Sequence, residues 1–441
     1  MDIAIVILAA GKGTRMNSPQ PKILHELGGF PLYYHSLATS KKIQPIQTYF
    51  VTGDDNKEIL TSLNEVDYQP EIVVQEKQLG TGHAVKCALS QMGNFDGLLI
   101  ILYGDTPFIQ KNTLYRLIAS TTDKAPISFL GFQTQNPGKY GRIIQDNDGT
   151  IAKIVEYKDL CLGEENITLC NSGMVCGIAS TLKRLIAKLD TQNASGEYYL
   201  TDIAELAKKE NIACSVTICD EEETIGINTQ EDLANAEGIF QAKKRKEMMD
   251  QGVTLQSPEN IFFSLDTVIH NNVVIEPNVY FGPGVEISSG TRIRAYSYLE
   301  GCSIGAGCII GPFARIRQGT NIGENCRIGN FVEIKQAQIK AGSKASHLSY
   351  VGDAEIGKNT NIGAGTIFCN FDGIRKHKTT VGDNSFIGSN TVFISPVEVG
   401  KNSMTAAGSV INKKIPDGAL GIARTKQKNI ERYTKTRPAK K

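Results

Sequence analysis

The chain of 441 residues has no tryptophan, only six histidines, and ten cysteines that never stand as a Cys-x-x-Cys pair. Without tryptophan, its cores must be built from aliphatic residues, phenylalanine and tyrosine. Without paired cysteines the redox motif is excluded, and scattered thiols in a reducing compartment read as small buried hydrophobes, with no disulfide expected. No apolar run near the start reaches the length of a membrane span. Met1 to Ala10 is apolar, but Lys12 follows and no basic segment precedes it, so neither a signal peptide nor an anchor is expected. The expectation is a cytoplasmic protein with no membrane partner. Neither sign of charge dominates, with 47 Lys+Arg against 46 Asp+Glu, and 41% of residues are hydrophobic. That balance excludes disordered and collagen-like chains and gives no sign of a nucleic-acid partner.

What is abundant is glycine, 43 residues in all. The even charge also conceals an asymmetry. Residues 1–228 hold 20 Lys+Arg and 27 Asp+Glu, whereas residues 229–441 hold 27 and 19. Near the carboxyl end Arg424, Lys426, Lys428, Arg432, Lys435, Arg437, Lys440 and Lys441 face only Glu431. This is either a solvated, frayed tail, the better reading beyond Arg432, or a surface for a phosphate-rich ligand.

Two periodicities divide the chain. Over residues 1–228 the runs IAIVILAA, QTYFVTG, EIVVQ, LLIILYGD and APISFLGF read as buried parallel strands between amphipathic helical stretches. That alternation predicts an α/β doubly wound, Rossmann-like domain, with ligands at the carboxyl ends of the strands. Residues 229–251 are rich in helix formers and polar on most sides, which predicts a linker helix. Residues 252–441 follow another rule. Aliphatic or aromatic residues recur every sixth position from Ile269 to Leu299 and, after a slip of one, from Ile304 to Ile334. The spacing returns at Ile356, Ile362 and Phe368, and from Val381 to Val399. Neither strand nor helix gives that period, so a hexapeptide-repeat parallel β-helix is predicted.

Glycine often follows the inward aliphatic, as at Gly305, Gly311, Gly323, Gly329, Gly357, Gly363, Gly388 and Gly400. The expected reason is a backbone angle at each corner that a Cβ would oppose. Cys302, Cys308 and Cys326 each precede an inward isoleucine by two residues, and no histidine keeps that spacing, so they read as core filler and not a metal site. The repeat breaks across 335–355 and 369–380, where loops are expected. His347 and His377 fall in these breaks, the latter read as a surface residue. His25 and His35 read as packing or surface residues.

In the first half, Leu8-Ala9-Ala10-Gly11-Lys12-Gly13-Thr14-Arg15-Met16, followed by Pro21-Lys22, is a glycine loop after a strand. Its N–H groups can chelate phosphate oxygens, and Arg15 and Lys22 add charge. It lacks the Gly-Lys-Ser/Thr of a Walker loop and the third glycine of a dinucleotide fingerprint. With Thr-Arg-Met and the spaced Pro-Lys it resembles the sugar-1-phosphate nucleotidyltransferases.

The resemblance implies further roles. Gln75 with Gly80-Thr81-Gly82-His83 is similar to the family's base-reading segment, and Tyr103-Gly104-Asp105 to the strand end that carries its metal carboxylate. Asp105 and Asn228 would hold Mg²⁺, a hard ion suited to few protein oxygens plus phosphates. An aspartate after a strand is otherwise only a turn residue. Gly141, Glu156 and Asn171 match sugar-contacting positions. The implied reaction is attack of a sugar-1-phosphate oxygen on the α-phosphorus of UTP, with Arg15 and Lys22 offsetting charge and no protein nucleophile.

The order of nucleotidyltransferase domain, helix and hexapeptide coil resembles the family of bacterial bifunctional N-acetylglucosamine-1-phosphate uridylyltransferase/glucosamine-1-phosphate acetyltransferases over essentially the whole chain. The resemblance rests on Gly311-Pro312-Phe313-Ala314-Arg315, Asn330-Phe331-Val332-Glu333-Ile334-Lys335, Lys344-Ala345-Ser346-His347-Leu348-Ser349-Tyr350 and Asn361-Ile362-Gly363-Ala364-Gly365-Thr366. It implies a left-handed β-helix in which His347 is the acetyl-transfer base. Arg315 and Lys335 would grip the sugar phosphate, with Glu333, Tyr350 and Asn361 fixing the sugar and the base. Asn370 and Ser389 would lie near the acyl carbonyl, and Ala364, Phe371, Ala407 and Arg424 would contact acetyl-CoA, with the basic tail near its phosphates. Phe371 replaces the family's usual tyrosine, which removes one hydrogen bond, and Gln318 replaces a proline in a turn. The resemblance further implies a homotrimer with acyl sites between subunits, and an intermediate that diffuses freely between the two centres. Two rivals remain in view: a monofunctional nucleotidyltransferase with an assembly-only coil, and a non-catalytic interaction subunit. The His347 segment and Lys335 count against the first; Arg15, Lys22, Asp105 and Asn228 count against the second.

Overall fold

Each of the five apolar runs of the first half becomes a strand in a computed structural model, which describes residues 1–433. Lys435, Arg437, Lys440 and Lys441 of the basic tail lie outside the described residues. The strands are β1 (Ile3–Leu8), β2 (Gln47–Gly53), β3 (Glu71–Gln75), β4 (Leu98–Tyr103) and β5 (Ile127–Gln133), joined by β6 (Gly141–Gln145), β7 (Ile151–Val155), β8 (Leu169–Ile178) and β9 (Cys214–Cys219). In the nine-stranded sheet the order is β9-β5-β8-β4-β1-β2-β3, with β6 paired to β8 and β7. β1 is parallel to β2 and β4, β2 to β3, and β9 to β5. β8 is antiparallel to both β4 and β5. The five runs therefore share one direction while the sheet as a whole is mixed.

Six helices cover it: α1 (Leu32–Lys41), α2 (Lys57–Leu63), α3 (Thr81–Gln91), α4 (Lys111–Ser120), α5 (Ala179–Ile186) and α6 (Ile203–Lys209). Alternate side chains of β1 go to opposite cores. Ala4, Val6 and Leu8 pack with residues of α3, α5 and α6, while Ile5 and Ile7 pack with α1, α2 and α4. Burial on both faces explains why these strands read as continuous apolar runs. The strand order reverses at β1 and β4, which leaves a crevice beyond their carboxyl ends, where the glycine loop and Gly104-Asp105 emerge.

The chain divides into two compact units, Met1–Ile239 and Phe240–Lys441, with the division inside helix α7 (Gln230–Asp250). The second unit is a left-handed parallel β-helix of short strands stacked coil on coil in flat faces. The aliphatic and aromatic residues at the six-residue spacing, Ile269 through Val399, are all buried along its axis. Cys302, Cys308 and Cys326 are buried there too, and all ten cysteines are free.

Two expectations are corrected. Of the eight glycines after inward residues, only Gly311 has a positive φ. Left-handed backbone falls instead three residues before the inward position, as at Asn272, Asn278, Phe313 and Asn325, ahead of Ile275, Phe281, Ile316 and Ile328. The glycine after the inward residue answers to space. A Cβ on Gly329 would stand 1.9 Å from the carbonyl oxygen of Ser346 in the next coil. Residues 335–355, moreover, eject no loop. Strands Glu333–Ile339, Lys344–His347 and Tyr350–Ile356 carry the coil straight through, with Ile339, Ala345 and Val351 buried in the inward seats. The period was hidden because five residues, not six, separate Ile334 from Ile339, and alanine takes one seat. His347 is therefore at a coil corner. Residues 369–380 do leave the coil, with Phe371 bridged to Lys376 before Thr379–Val381 returns. Among the described residues no helix is long and apolar enough to cross a membrane.

Candidate active sites

In the first unit a cavity of about 460 Å³ lies beyond the ends of β1 and β4. Its lining includes Leu8, Ala9, Ala10, Gly11, Lys22, Gln75, Gly80, Thr81, Tyr103 and Asp105 from the sequence-predicted set. Lys12 and Thr14 of the glycine loop line it as well, as do Gln78 and Glu197, for which the sequence suggested no role. Gln78 Nε2 donates to the Ala10 carbonyl at 2.6 Å and so pins the glycine loop. Gly13, at φ +61°, gives Lys22 room, since a Cβ there would lie 2.5 Å from the Lys22 Cβ.

The polar centre is compact. The Lys22 ammonium contacts the Asp105 carboxylate and lies 3.1 Å from Asn228 Oδ1. Arg15 is exposed at the rim and donates to the same Asn228 oxygen at 2.9 Å. Asn228 arrives from far along the chain because the Ile227 N–H donates to the Asp105 carbonyl at 3.0 Å. The Gly104 N–H donates to the Leu8 carbonyl at 2.9 Å, which closes the β1 and β4 ends together.

Gly141, Glu156 and Asn171 form a second group. Gly141 pairs with Asn171 across β6 and β8, and Glu156 follows β7 directly. Glu156 accepts from the Thr201 hydroxyl at 2.9 Å, and burial pushes its carboxyl above the usual range. It lines a separate cavity of about 330 Å³ with Asp159, Asp190 and Asp202, not the first one. Asn171 is buried and its Oδ1 has no hydrogen-bond partner among the described residues. Tyr103 links the groups. Burial first, then the charges of Glu156 and Asp105, raise its phenol well above the ordinary value.

The Asp105 and Asn228 oxygens converge on one positive atom, the Lys22 ammonium, so they already define a point favourable to a cation. No cluster of three or more His, Cys, Asp or Glu is assembled for a metal among the described residues. One carboxylate and one amide oxygen suit Mg²⁺, which takes its remaining ligands from phosphate and water, better than a zinc site.

In the coil, His347 ends the strand Lys344–His347 and pairs in register with Asn330 one coil below. Its Nδ1 lies 2.8 Å from Asn330 Oδ1. A carbonyl oxygen only accepts, so Nδ1 carries a proton, and in the neutral ring the lone pair is on Nε2. Nothing in the sequence alone marks Asn330 for this role. The same corner continues upward through backbone contacts. The Gly365 N–H donates to the His347 carbonyl, Asn390 N–H to Ala364, Gly408 N–H to Ser389, and the Arg424 guanidinium to Ala407 at 2.8 Å. His347, Ala364, Ser389, Ala407 and Arg424 thus climb one edge over four coil steps, about 19 Å at the usual strand spacing.

Arg315, Glu333 and Tyr350 stack in register on the adjoining face. Glu333 is held by Arg317 at 2.8 Å. Lys335 stands beyond them, where Lys376 first and Arg317 next lower its pKa by crowding positive charge. Lys376 and Arg317 went unassigned in the sequence. Asn370 is buried and donates to Asp353, while Phe371 is exposed on the loop. Asn361 lies on a different sheet, paired with Lys344, so one chain does not bring it to the Arg315 column. His377 is half-buried on the loop, 2.7 Å from Asp372. His35 is buried on the Leu27 carbonyl, and desolvation brings its pKa down to about 4.

Comparison with known proteins finds a family match in each half of the chain. Residues 5–193 match the MobA-like NTP transferase domain, and residues 266–301, 301–336 and 378–413 match the bacterial transferase hexapeptide (six repeats). The chain is 48% identical over 429 residues to the bifunctional protein GlmU of Ruegeria sp. (strain TM1040), covering 97% of this chain and 95% of that one. It is 47% identical to that of Jannaschia sp. (strain CCS1), covering 97% and 94%. It is 44% identical to that of Zymomonas mobilis, covering 98% and 96%. The chain belongs to the bifunctional GlmU family, a UDP-N-acetylglucosamine diphosphorylase in its first half and a glucosamine-1-phosphate acetyltransferase in its second.

Proposed function

We propose that the chain acetylates glucosamine-1-phosphate from acetyl-CoA in the coil, and then joins the N-acetylglucosamine-1-phosphate to UMP from UTP in the α/β unit, releasing pyrophosphate. The observation that carries this reading is the pair of separate polar centres, one at Lys22, Asp105 and Asn228 and one at His347. In acetyl transfer the His347 Nε2 lone pair takes one proton from the sugar ammonium, the freed amine attacks the thioester carbonyl, and as the C–S bond breaks the CoA sulfur takes the second amine proton and leaves as the thiol. Arg315, Lys335 and the neighbouring Lys376 hold the sugar phosphate. Asn370 and Ser389 flank the acyl group, and the edge from Ala364 to Arg424 guides CoA toward positive charge.

In uridylyl transfer the sugar phosphate oxygen attacks the α-phosphorus and pyrophosphate leaves. Gln75, Gly80 and Thr81 receive the base, Gly141, Glu156 and Asn171 the sugar, and the glycine loop with Arg15 and Lys22 the triphosphate. Asp105 and Asn228 would hold Mg²⁺, whose contribution is neutralisation of phosphate charge.

A homotrimer fits the exposed aromatic ladder Tyr296, Phe313 and Phe331, stacked at 5.0 and 5.2 Å and each about half exposed, with Leu348 above it. Such a patch favours burial against a second copy, and acyl sites between subunits would bring Asn361 of one copy to the Arg315 column of another. A cytoplasmic location suits substrates of this kind. The test is incubation with glucosamine-1-phosphate, acetyl-CoA, UTP and Mg²⁺ and product identification by mass. UDP-N-acetylglucosamine is expected; UDP-glucosamine, or no acetylated product, would contradict the order or the second activity.

A further inference from the structure

Gln75 is 3% exposed at the end of β3 and lines the 460 Å³ cavity. Its Nε2 lies 3.1 Å from the Gly80 carbonyl oxygen and 3.0 Å from Nδ1 of His83, in the first turn of α3. A carbonyl only accepts, so the nitrogen end of the amide must face Gly80. One N–H goes there and the other goes to His83 Nδ1, which therefore presents its lone pair and carries its proton on Nε2. Turning the amide over would set its oxygen against the Gly80 carbonyl, and against Nδ1 as well unless the imidazole moved its proton there. The free end is therefore Oε1, which has no partner among the described residues and belongs to a cavity-lining side chain.

We infer that His83 is a specificity-determining residue of uridylyl transfer, fixing the Gln75 amide with its oxygen toward the base. An acceptor there matches a pyrimidine that offers an N–H at ring position 3, as uracil does, and opposes cytosine, which presents a lone pair at that atom. Without His83 only Gly80 resists the flip, and a flipped amide would donate to cytosine N3. His83 touches no substrate in this account; it acts through Gln75. The inference rests on Gln75 as the base-reading residue, and the two fail differently.

The experiment compares kcat/KM for UTP and CTP, with N-acetylglucosamine-1-phosphate as acceptor, in the full-length protein and in His83→Leu, His83→Asn and Gln75→Ala. His83→Leu keeps bulk and removes the acceptor; discrimination between UTP and CTP is expected to fall about tenfold. His83→Asn places Oδ1 where Nδ1 was and is expected to retain discrimination within about threefold. The KM for N-acetylglucosamine-1-phosphate should stay constant in both, a readout that collapse of α3 would move. Should the leucine variant not fold, His83→Ala takes its place. Unchanged discrimination without the acceptor, alongside a loss in Gln75→Ala, would remove His83 and leave Gln75 as the reader. Unchanged discrimination in Gln75→Ala would remove both. An asparagine variant no better than leucine would overturn the acceptor argument.

Discussion

Lys22 Nζ lies 3.1 Å from Asn228 Oδ1, although the two residues stand at opposite ends of the first unit's sequence. The same ammonium contacts Asp105, so one cation neutralises the group where the phosphates are expected. Lys22→Ala should lower kcat/KM for uridylyl transfer by about 10²–10³-fold, the usual cost of losing a preorganised charge at a developing anion. Asn228→Ala should raise the Mg²⁺ concentration needed for half-maximal rate. Both should acetylate glucosamine-1-phosphate at the parent rate, and a parallel loss of acetylation would refute the separation of the centres.

Gly329 lies where successive coils pass closest. A Cβ would meet the Ser346 carbonyl at 1.9 Å, and backbone cannot give way as a side chain can. Gly329→Ala should destabilise the coil by about 1–3 kcal/mol, as overpacking does. Because Asn330 and His347 follow in the same rungs, acetyl transfer should fall with it while uridylyl transfer persists. Thermal unfolding read beside both assays checks this.

Asp202 supplies a pH signature. Burial first, then the charges of Asp190 and Glu156, raise its carboxyl from 3.8 to about 6. A carboxyl with the higher pKa when folded holds its proton more tightly in that state, so stability is lost as pH rises between about 4 and 6 and stays reduced above. Asp202→Asn should stabilise the first unit at pH 7 by on the order of 1 kcal/mol, after allowance for solvent screening. The gain should vanish near pH 4. A gain of equal size at both pH values would point to packing and not charge.

Phe331 is stacked on Phe313 and 56% exposed. Light scattering should give about three chains per particle for the parent. Phe331→Glu should give monomers that keep uridylyl transfer and lose most acetyl transfer. A monomer fully active in acetylation would contradict shared acyl sites.

How much of this was legible in the sequence depended on how directly each residue's neighbours dictate it. The inward isoleucines could be read because one side chain per rung must be apolar. The strands of the first unit could be read because burial on both faces leaves unbroken apolar runs. Strand β8 was missed: Asn171, Ser172 and Gly173 interrupt its pattern at a register shift against β5. The stretch 335–355 was misread because Ala345 fills a seat that elsewhere takes isoleucine, and the corner glycines were credited to φ when the next coil's backbone excludes a Cβ. Asn330, Arg317, Lys376 and Asp353 escaped notice because each acts on a partner in another rung, and only stacking makes them neighbours.

The central claim is that one chain carries two independent centres whose intermediate is released between them. Mixing Asp105→Ala with His347→Ala tests it directly, with glucosamine-1-phosphate, acetyl-CoA, UTP and Mg²⁺ supplied and products identified by mass. Alone, Asp105→Ala should stop at N-acetylglucosamine-1-phosphate, and His347→Ala should leave glucosamine-1-phosphate unconverted. Mixed, they should restore UDP-N-acetylglucosamine. Product from either variant alone, or none from the mixture, would contradict the account.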